Sequence, residues 1–187
     1  MNAEEQVEKA LDLFWNNGVT ETSYADLVRH TGLSRKALYS VWADKTELVH
    51  DTIQLYRGRV LGEIIAILEP PSFSKLGEFW DVMEASINTP EWIGCYLFRS
   101  ATGELRDDPV IVATFEEYVL ALKNRFKTAM TTAKANGDLP ESFDADIAAW
   151  QAVSILSLMS AFGGQSGYGP NVKALLDTGR RTCGITP

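Results

Sequence analysis

The feature that most constrains this chain is a pair of short helical signals packed into residues 23–42. Ser23 and Asp26 form a Ser-x-x-Asp start, Tyr24, Leu27 and Val28 supply a short apolar face, and Thr31-Gly32 ends it. Leu33 and a potential N-cap, Ser34, then open a second face of Ala37, Leu38, Val41 and Trp42, which stops at Ala43-Asp44. His30, Thr31, Gly32 and Leu33 make the turn, where Gly32 permits a left-handed backbone. Leu27, Val28, Leu33, Leu38 and Val41 fall where two such helices must face each other and the rest of a domain. Two helices, a short turn and this facing pattern predict a helix-turn-helix.

The flanking segments have helical periodicity too. Val7, Ala10, Leu11 and Phe14 follow an Asn2-x-x-Glu5 start and are closed by Gly18. Asp44 and Glu47 start a long helix carrying Leu48, Val49, Thr52, Ile53, Tyr56 and Val60 toward Pro70-Pro71, the clearest boundary in the chain. Beyond it helical runs are expected over 79–87, 92–105, 109–136, 147–162 and 172–181, with Gly and Pro at the junctions. No period-two alternation with hairpin dipeptides interrupts them. The expected class is therefore all-α: a three-helix head at 1–50, then a larger helical domain at 51–187.

On the second helix of the pair, Arg35, Lys36, Tyr39 and Ser40 point outward, with Ser34 at the N-terminus, where the helix dipole and free N–H groups favour a phosphate. Arg35 and Lys36 can donate to guanine edges or phosphates, Tyr39 and Ser40 to phosphates, and Ala37 can touch a thymine methyl. Double-stranded DNA is the partner these residues suit. The competing reading is a plain helical hairpin with solvated charges. The formal net charge of -8 excludes a protein that coats nucleic acid nonspecifically. The first 57 residues carry six basic against nine acidic side chains, so binding must rest on focused contacts with a shallow salt dependence.

Gly18, Thr22-Ser23, Asp26-Leu27, residues 32–39 (Gly-Leu-Ser-Arg-Lys-Ala-Leu-Tyr), Trp42, Lys45 and Leu48 together resemble the signature of the tetracycline-repressor (TetR) family. The resemblance covers the first fifty residues. It implies a regulator whose third helix enters the major groove, with Lys45 holding a phosphate and Thr22 and Ser23 touching the backbone. Trp42 stands where the family usually has phenylalanine and Val41 where it often has a phosphate-binding histidine or tyrosine, and the chain opens without a basic arm.

The second domain is rich in large rings. Phe79, Trp80, Met83, Ile87, Trp92, Tyr96, Phe98, Phe115, Tyr118 and Phe126 are mostly expected in a core, yet so many suit a cavity for an apolar or aromatic molecule. Of these Trp80, Met83, Ile87, Trp92, Tyr96, Phe98, Phe115 and Tyr118 are the expected ligand contacts, and Arg99 is available to an anionic ligand. Gly94-Cys95-Tyr96-Leu97-Phe98 and Asn136-Gly137-Asp138-Leu139-Pro140 resemble the effector domain of one branch of the family, with Arg99 and Gly103 departing from it. Cys95, at a helix start, is either a sensing thiol or a small buried residue.

Residues 147–162 are apolar nearly all round, which asks for packing partners on two sides. The resemblance implies a four-helix bundle between two copies, so that Ile155, Leu158, Met159, Phe162, Leu175 and Leu176 would form a homodimer interface reading a palindromic operator.

An enzyme would need a nucleophile with a base, paired carboxylates, a metal set or a phosphate loop. None stands out: the only histidines are His30 and His50, and Gly163-Gly164 and Gly167-Tyr168-Gly169 read as a loop. No cofactor, metal or membrane partner is expected. Two distant cysteines and no secretory signal point to the cytoplasm. A small-molecule-binding module that has lost DNA recognition is the remaining alternative to a repressor released by its effector.

Overall fold

In the computed structural model, which describes residues 3–89, 92–162 and 169–186, every regular element among the described residues is helical. Helix α1 (Ala3–Asn17) places Glu4 and Glu5 in its first turn, at the positive end of its dipole. It ends at Gly18, whose φ of 92° only glycine adopts readily. The expected Asn2 start lies outside the described residues. Helices α2 (Tyr24–Thr31), α3 (Arg35–Val41) and α4 (Lys45–Tyr56) begin where the start signals stand. The side chains of Ser23, Ser34 and Asp44 accept from the backbone N–H groups of Asp26, Ala37 and Glu47 respectively. Leu27, Leu38, Trp42, Leu48 and Ile53 close over Ala10 and Phe14. Each large side chain so buried stabilises the head by about 1.5–3 kcal/mol.

Val41 corrects the expected inward face, since it is 45% exposed. Because α3 has under two turns, Leu38 and the residue four places on, Trp42, fill the inward stripe. The Trp42 indole N–H donates to Asp51 Oδ2 at 2.7 Å.

The long fourth helix is also not uniform. After α4 the chain widens into a π-helical turn, Arg57–Leu61, before α5 (Gly62–Ala66). Helix α6 (Phe73–Ile87) starts six residues earlier than expected, because the Ser72 hydroxyl caps it by accepting from Lys75 N. Helix α7 (Tyr96–Thr102) is shorter than expected: Gly94 takes a left-handed φ of 82°, Cys95 is the N-cap, and Gly103 ends the helix. Helix α8 (Pro109–Asn136) runs from Asp108, with proline in its first turn, to left-handed Gly137. Helices α9 (Ala145–Ala161) and α10 (Gly169–Thr182) complete the bundle. Of the expected glycine loop, Gly163, Gly164, Gly167 and Tyr168 lie outside the described residues, whereas Gly169 opens α10.

Two cores result. The head's core takes in Tyr96, Leu97, Ala101 and Ile111 from α7 and α8, so the head sits on the second domain through shared apolar packing. The second core joins α6, α8, α9 and α10 around Leu76, Phe79, Trp80, Phe126, Met130 and Val153. The expected border at residue 50 falls inside α4. Among the described residues no helix is long and apolar enough to cross a membrane.

Candidate functional site

Two capped helices and a left-handed glycine set the outward face of the head. Ser34, Arg35, Lys36, Tyr39 and Ser40 are exposed and Ala37 is half-buried. Tyr24 and Tyr39 stack with ring centroids 5.1 Å apart. The Arg35 guanidinium lies 5.4 Å from the Tyr24 ring centre and 6.0 Å from that of Tyr39, which braces an otherwise flexible side chain on α3. Neither Arg35 nor Lys36 forms an ion pair among the described residues, whereas Lys9 pairs with Glu5 and Arg29 with Asp26. Positive charge on this face is thus concentrated on α3.

Three residues expected at the DNA backbone are used differently. Thr22 is 1% exposed, and its hydroxyl donates to Gly18 O at 2.7 Å, so its side chain faces inward. Ser23 is exposed, but its hydroxyl donates to Asp26 Oδ2 at 2.6 Å as part of the cap of α2. Lys45 Nζ donates to Val19 O at 2.8 Å and Thr22 O at 3.2 Å, tying down the turn between α1 and α2 rather than projecting outward. Ser40 stays on the outer face while its hydroxyl donates to Ala37 O at 2.7 Å.

Beneath the head lies a cavity of about 390 Å³. Met83, Ile87, Trp92, Phe98, Phe115 and Tyr118 line it, as expected from the sequence. Three other expected ligand contacts do not. Trp80 is fully buried in the second core, against the Phe79 and Phe126 rings, with its indole N–H donating to Cys183 Sγ at 3.3 Å. Tyr96 turns toward α4, where its hydroxyl and Thr52 Oγ1 are 2.9 Å apart. Arg99 Nη1 donates to the carbonyl oxygens of Trp15 at 3.2 Å and Ile93 at 3.1 Å, which leaves it outside the lining.

The most consequential lining residue escaped the sequence reading. Trp15 belongs to α1 of the head, yet it forms part of the cavity wall and donates from Nε1 to Gly94 O at 3.0 Å. The available signal was a second large ring beside Phe14, just off the stripe that packs the head. Tyr56 at the end of α4 meets Trp15 edge-on at 5.0 Å and also lines the cavity. Cys95 lines it too, but burial pushes its thiol up, away from the thiolate that reactivity requires.

Around this wall the head is fastened to the second domain. His50 Nε2 and Asp108 Oδ2 are 2.9 Å apart, and Arg57 pairs with Glu117 at 3.0 Å. Glu104, also unforeseen, accepts two backbone N–H groups of the α1–α2 turn.

On α9, Met159 is 2% exposed and lines the cavity, and Leu176 of α10 is 2% exposed in the same core. Both point into their own protomer, which corrects their expected place at a surface between copies. Ile155, Phe162 and Leu175 are half-buried against that core, and Leu158 is 47% exposed. Ile147 and Trp150, also on α9, are 57% and 43% exposed.

Residues 7–52 match the family described as bacterial regulatory proteins, tetR family. An uncharacterized HTH-type transcriptional regulator of Bacillus subtilis (strain 168), YezE, is 28% identical over 147 residues, covering 76% of this chain and 75% of its own length. The HTH-type transcriptional repressor ComR of Escherichia coli (strain K12) is 26% identical over 144 residues, covering 74% of this chain and 68% of its own. The fold is that of CifR, a TetR family transcriptional regulator solved with 26 bp double-strand operator DNA: TM-score 0.75, 22% identity, 97% of this chain and 95% of that one. Residues 7–52 thus carry a tetR-family helix-turn-helix head, and the chain as a whole has the all-helical fold seen in CifR.

Proposed function

We propose that this protein is a transcriptional regulator of the TetR family, a repressor that binds a palindromic operator as a homodimer and is released when a small apolar or aromatic effector fills the cavity. Residues 1–50 act as the reading head and 51–187 as the effector and dimerisation part, in the cytoplasm. The head reads DNA through α3, with Arg35, Lys36, Tyr39 and Ser40 on its outer face, Ser34 at its N-terminus and Ala37 beside them. The observation that carries the effector reading is Trp15: a side chain from the first helix of the head is a wall of the cavity. A molecule that displaces this ring acts on the head directly, and shifts the dimer between operator-competent and released states by its different affinity for the two.

The homodimer reading rests on the exposed apolar stripe of Ile147, Trp150 and Leu158 along α9, a face that a second copy would bury. With two copies related by a twofold axis, half-sites would repeat at about 34–36 Å or a multiple of it.

Selection of duplexes from a random-sequence pool at low salt, with the wild type beside an Arg35→Ala, Lys36→Ala variant, tests the DNA reading. A palindromic motif enriched by the wild type and lost in the variant is the expected result. Failure of the wild type to enrich any motif would instead favour a ligand-binding module without DNA recognition.

A further inference from the structure

We propose that the cavity selects an aromatic cation bearing hydrogen-bond donors over neutral or anionic ligands of the same shape, an inference that rests on the effector reading above. Its wall is built from the rings of Trp15, Tyr56, Trp92, Phe98, Phe115 and Tyr118. Ring faces carry partial negative charge and attract cations. Among the described residues, no lysine, arginine or histidine lines the cavity. The Arg99 guanidinium is spent on backbone carbonyl oxygens outside it.

The serine hydroxyls of the lining share this sign. Ser86, Ser157 and Ser160 each donate their hydroxyl hydrogen to a backbone carbonyl of their own helix, those of Val82, Val153 and Leu156, at 2.9 Å. What these hydroxyls have left to offer is lone pairs. Glu63 adds an exposed carboxylate with no ion pair among the described residues. Burial pushes the Tyr56 and Tyr118 phenols up, so both remain neutral. An anion entering this site loses its hydration and meets aromatic rings, serine lone pairs and a carboxylate, with no cationic side chain among the described residues to replace the water. A donor-bearing aromatic cation meets a complement for its charge, its plane and its N–H groups.

Calorimetric titration of the full chain without DNA tests this with one ring system in three charge states: 9-aminoacridinium, acridine and acridine-9-carboxylate, buffered well above the acridine pKa. The cation is expected to bind about tenfold tighter than acridine, and the carboxylate weakest. Glu63→Gln is expected to weaken the cation several-fold and leave acridine unchanged. Ser157→Phe, which fills the cavity, is expected to abolish binding of the cation, and Ser86→Phe serves if that variant does not fold. Acridine or its carboxylate binding as tightly as the cation overturns the inference while leaving the cavity as the effector site. Cation binding that survives the filled cavity overturns it as well. Absence of binding by all three overturns the inference together with the effector reading.

Discussion

The Glu104 carboxylate grips the backbone of Val19, accepting its N–H at Oε1 across 2.6 Å. Its other oxygen accepts the Thr20 N–H at 2.5 Å, and Lys45 Nζ holds the Val19 and Thr22 carbonyls from the opposite side. The turn joining α1 to α2 is therefore clasped by residues 26 and 85 positions away, counting from Val19. Burial raises the Glu104 pKa, but the Thr20 and Val19 amides and the nearby Lys45 charge outweigh it and hold the carboxyl below the usual range.

Glu104→Ala is expected to cost about 1–2 kcal/mol, because the exposed Thr20 amide regains water while that of the buried Val19 loses its acceptor. Urea denaturation measures this loss. The depressed pKa means that the Glu104 contribution is full above the unfolded glutamate range and is lost as pH falls through the lower folded value. The stability gap between wild type and variant should accordingly close in acid.

Basic residues on the two sides of the head should behave differently. Removing Arg35 and Lys36 together, both exposed, is expected to leave the melting temperature unchanged and to flatten the salt dependence of DNA binding, by about 0.9 in log–log slope for each phosphate no longer neutralised. Lys45→Ala instead removes two hydrogen bonds inside the protein and is expected to destabilise it by about 1–2 kcal/mol. Melting curves beside binding isotherms at several salt concentrations separate the two outcomes.

Asp146 couples the first turn of α9 to α8. Hydrogen bonds from Lys123 and Lys127, at 2.6 and 2.7 Å, lower its carboxyl to about 2. Because the folded value lies below the unfolded one, the stabilisation is present at neutral pH and is lost as pH falls from about 4 through about 2. Asp146→Asn is expected to lower the melting temperature at neutral pH and to match the wild type in strong acid, as followed by circular dichroism.

Gly179 allows α10 to lie directly on Trp80. A Cβ at this position would overlap Cη2, Cζ2 and Cζ3 of Trp80, and the indole is fully buried with its N–H held by Cys183. Since the ring cannot move aside, Gly179→Ala is expected to cost about 1–3 kcal/mol through overpacking, despite the better helix propensity of alanine. Chemical denaturation gives the sign: a more stable variant would mean that α10 shifts freely.

Local signals in the sequence determined the head. Ser23, Ser34 and Asp44 each cap the helix that follows them, Gly32 takes the left-handed turn with a φ of 75°, and the outward set on α3 is indeed exposed, because caps and turns are decided within a few residues. The aromatic content of residues 79–118 likewise foreshadowed a cavity, and Met83, Ile87, Trp92, Phe98, Phe115 and Tyr118 line one. Periodicity could not show which side of a helix meets which neighbour. Trp80, Tyr96 and Arg99 share segments with true lining residues yet face away, and Met159 and Leu176 turn into their own core. Only the tertiary structure put Trp15 into the cavity wall and Glu104 against the α1–α2 turn. Both relationships join residues about 80 positions apart, and their geometry arises from how whole helices pack, which no local pattern encodes.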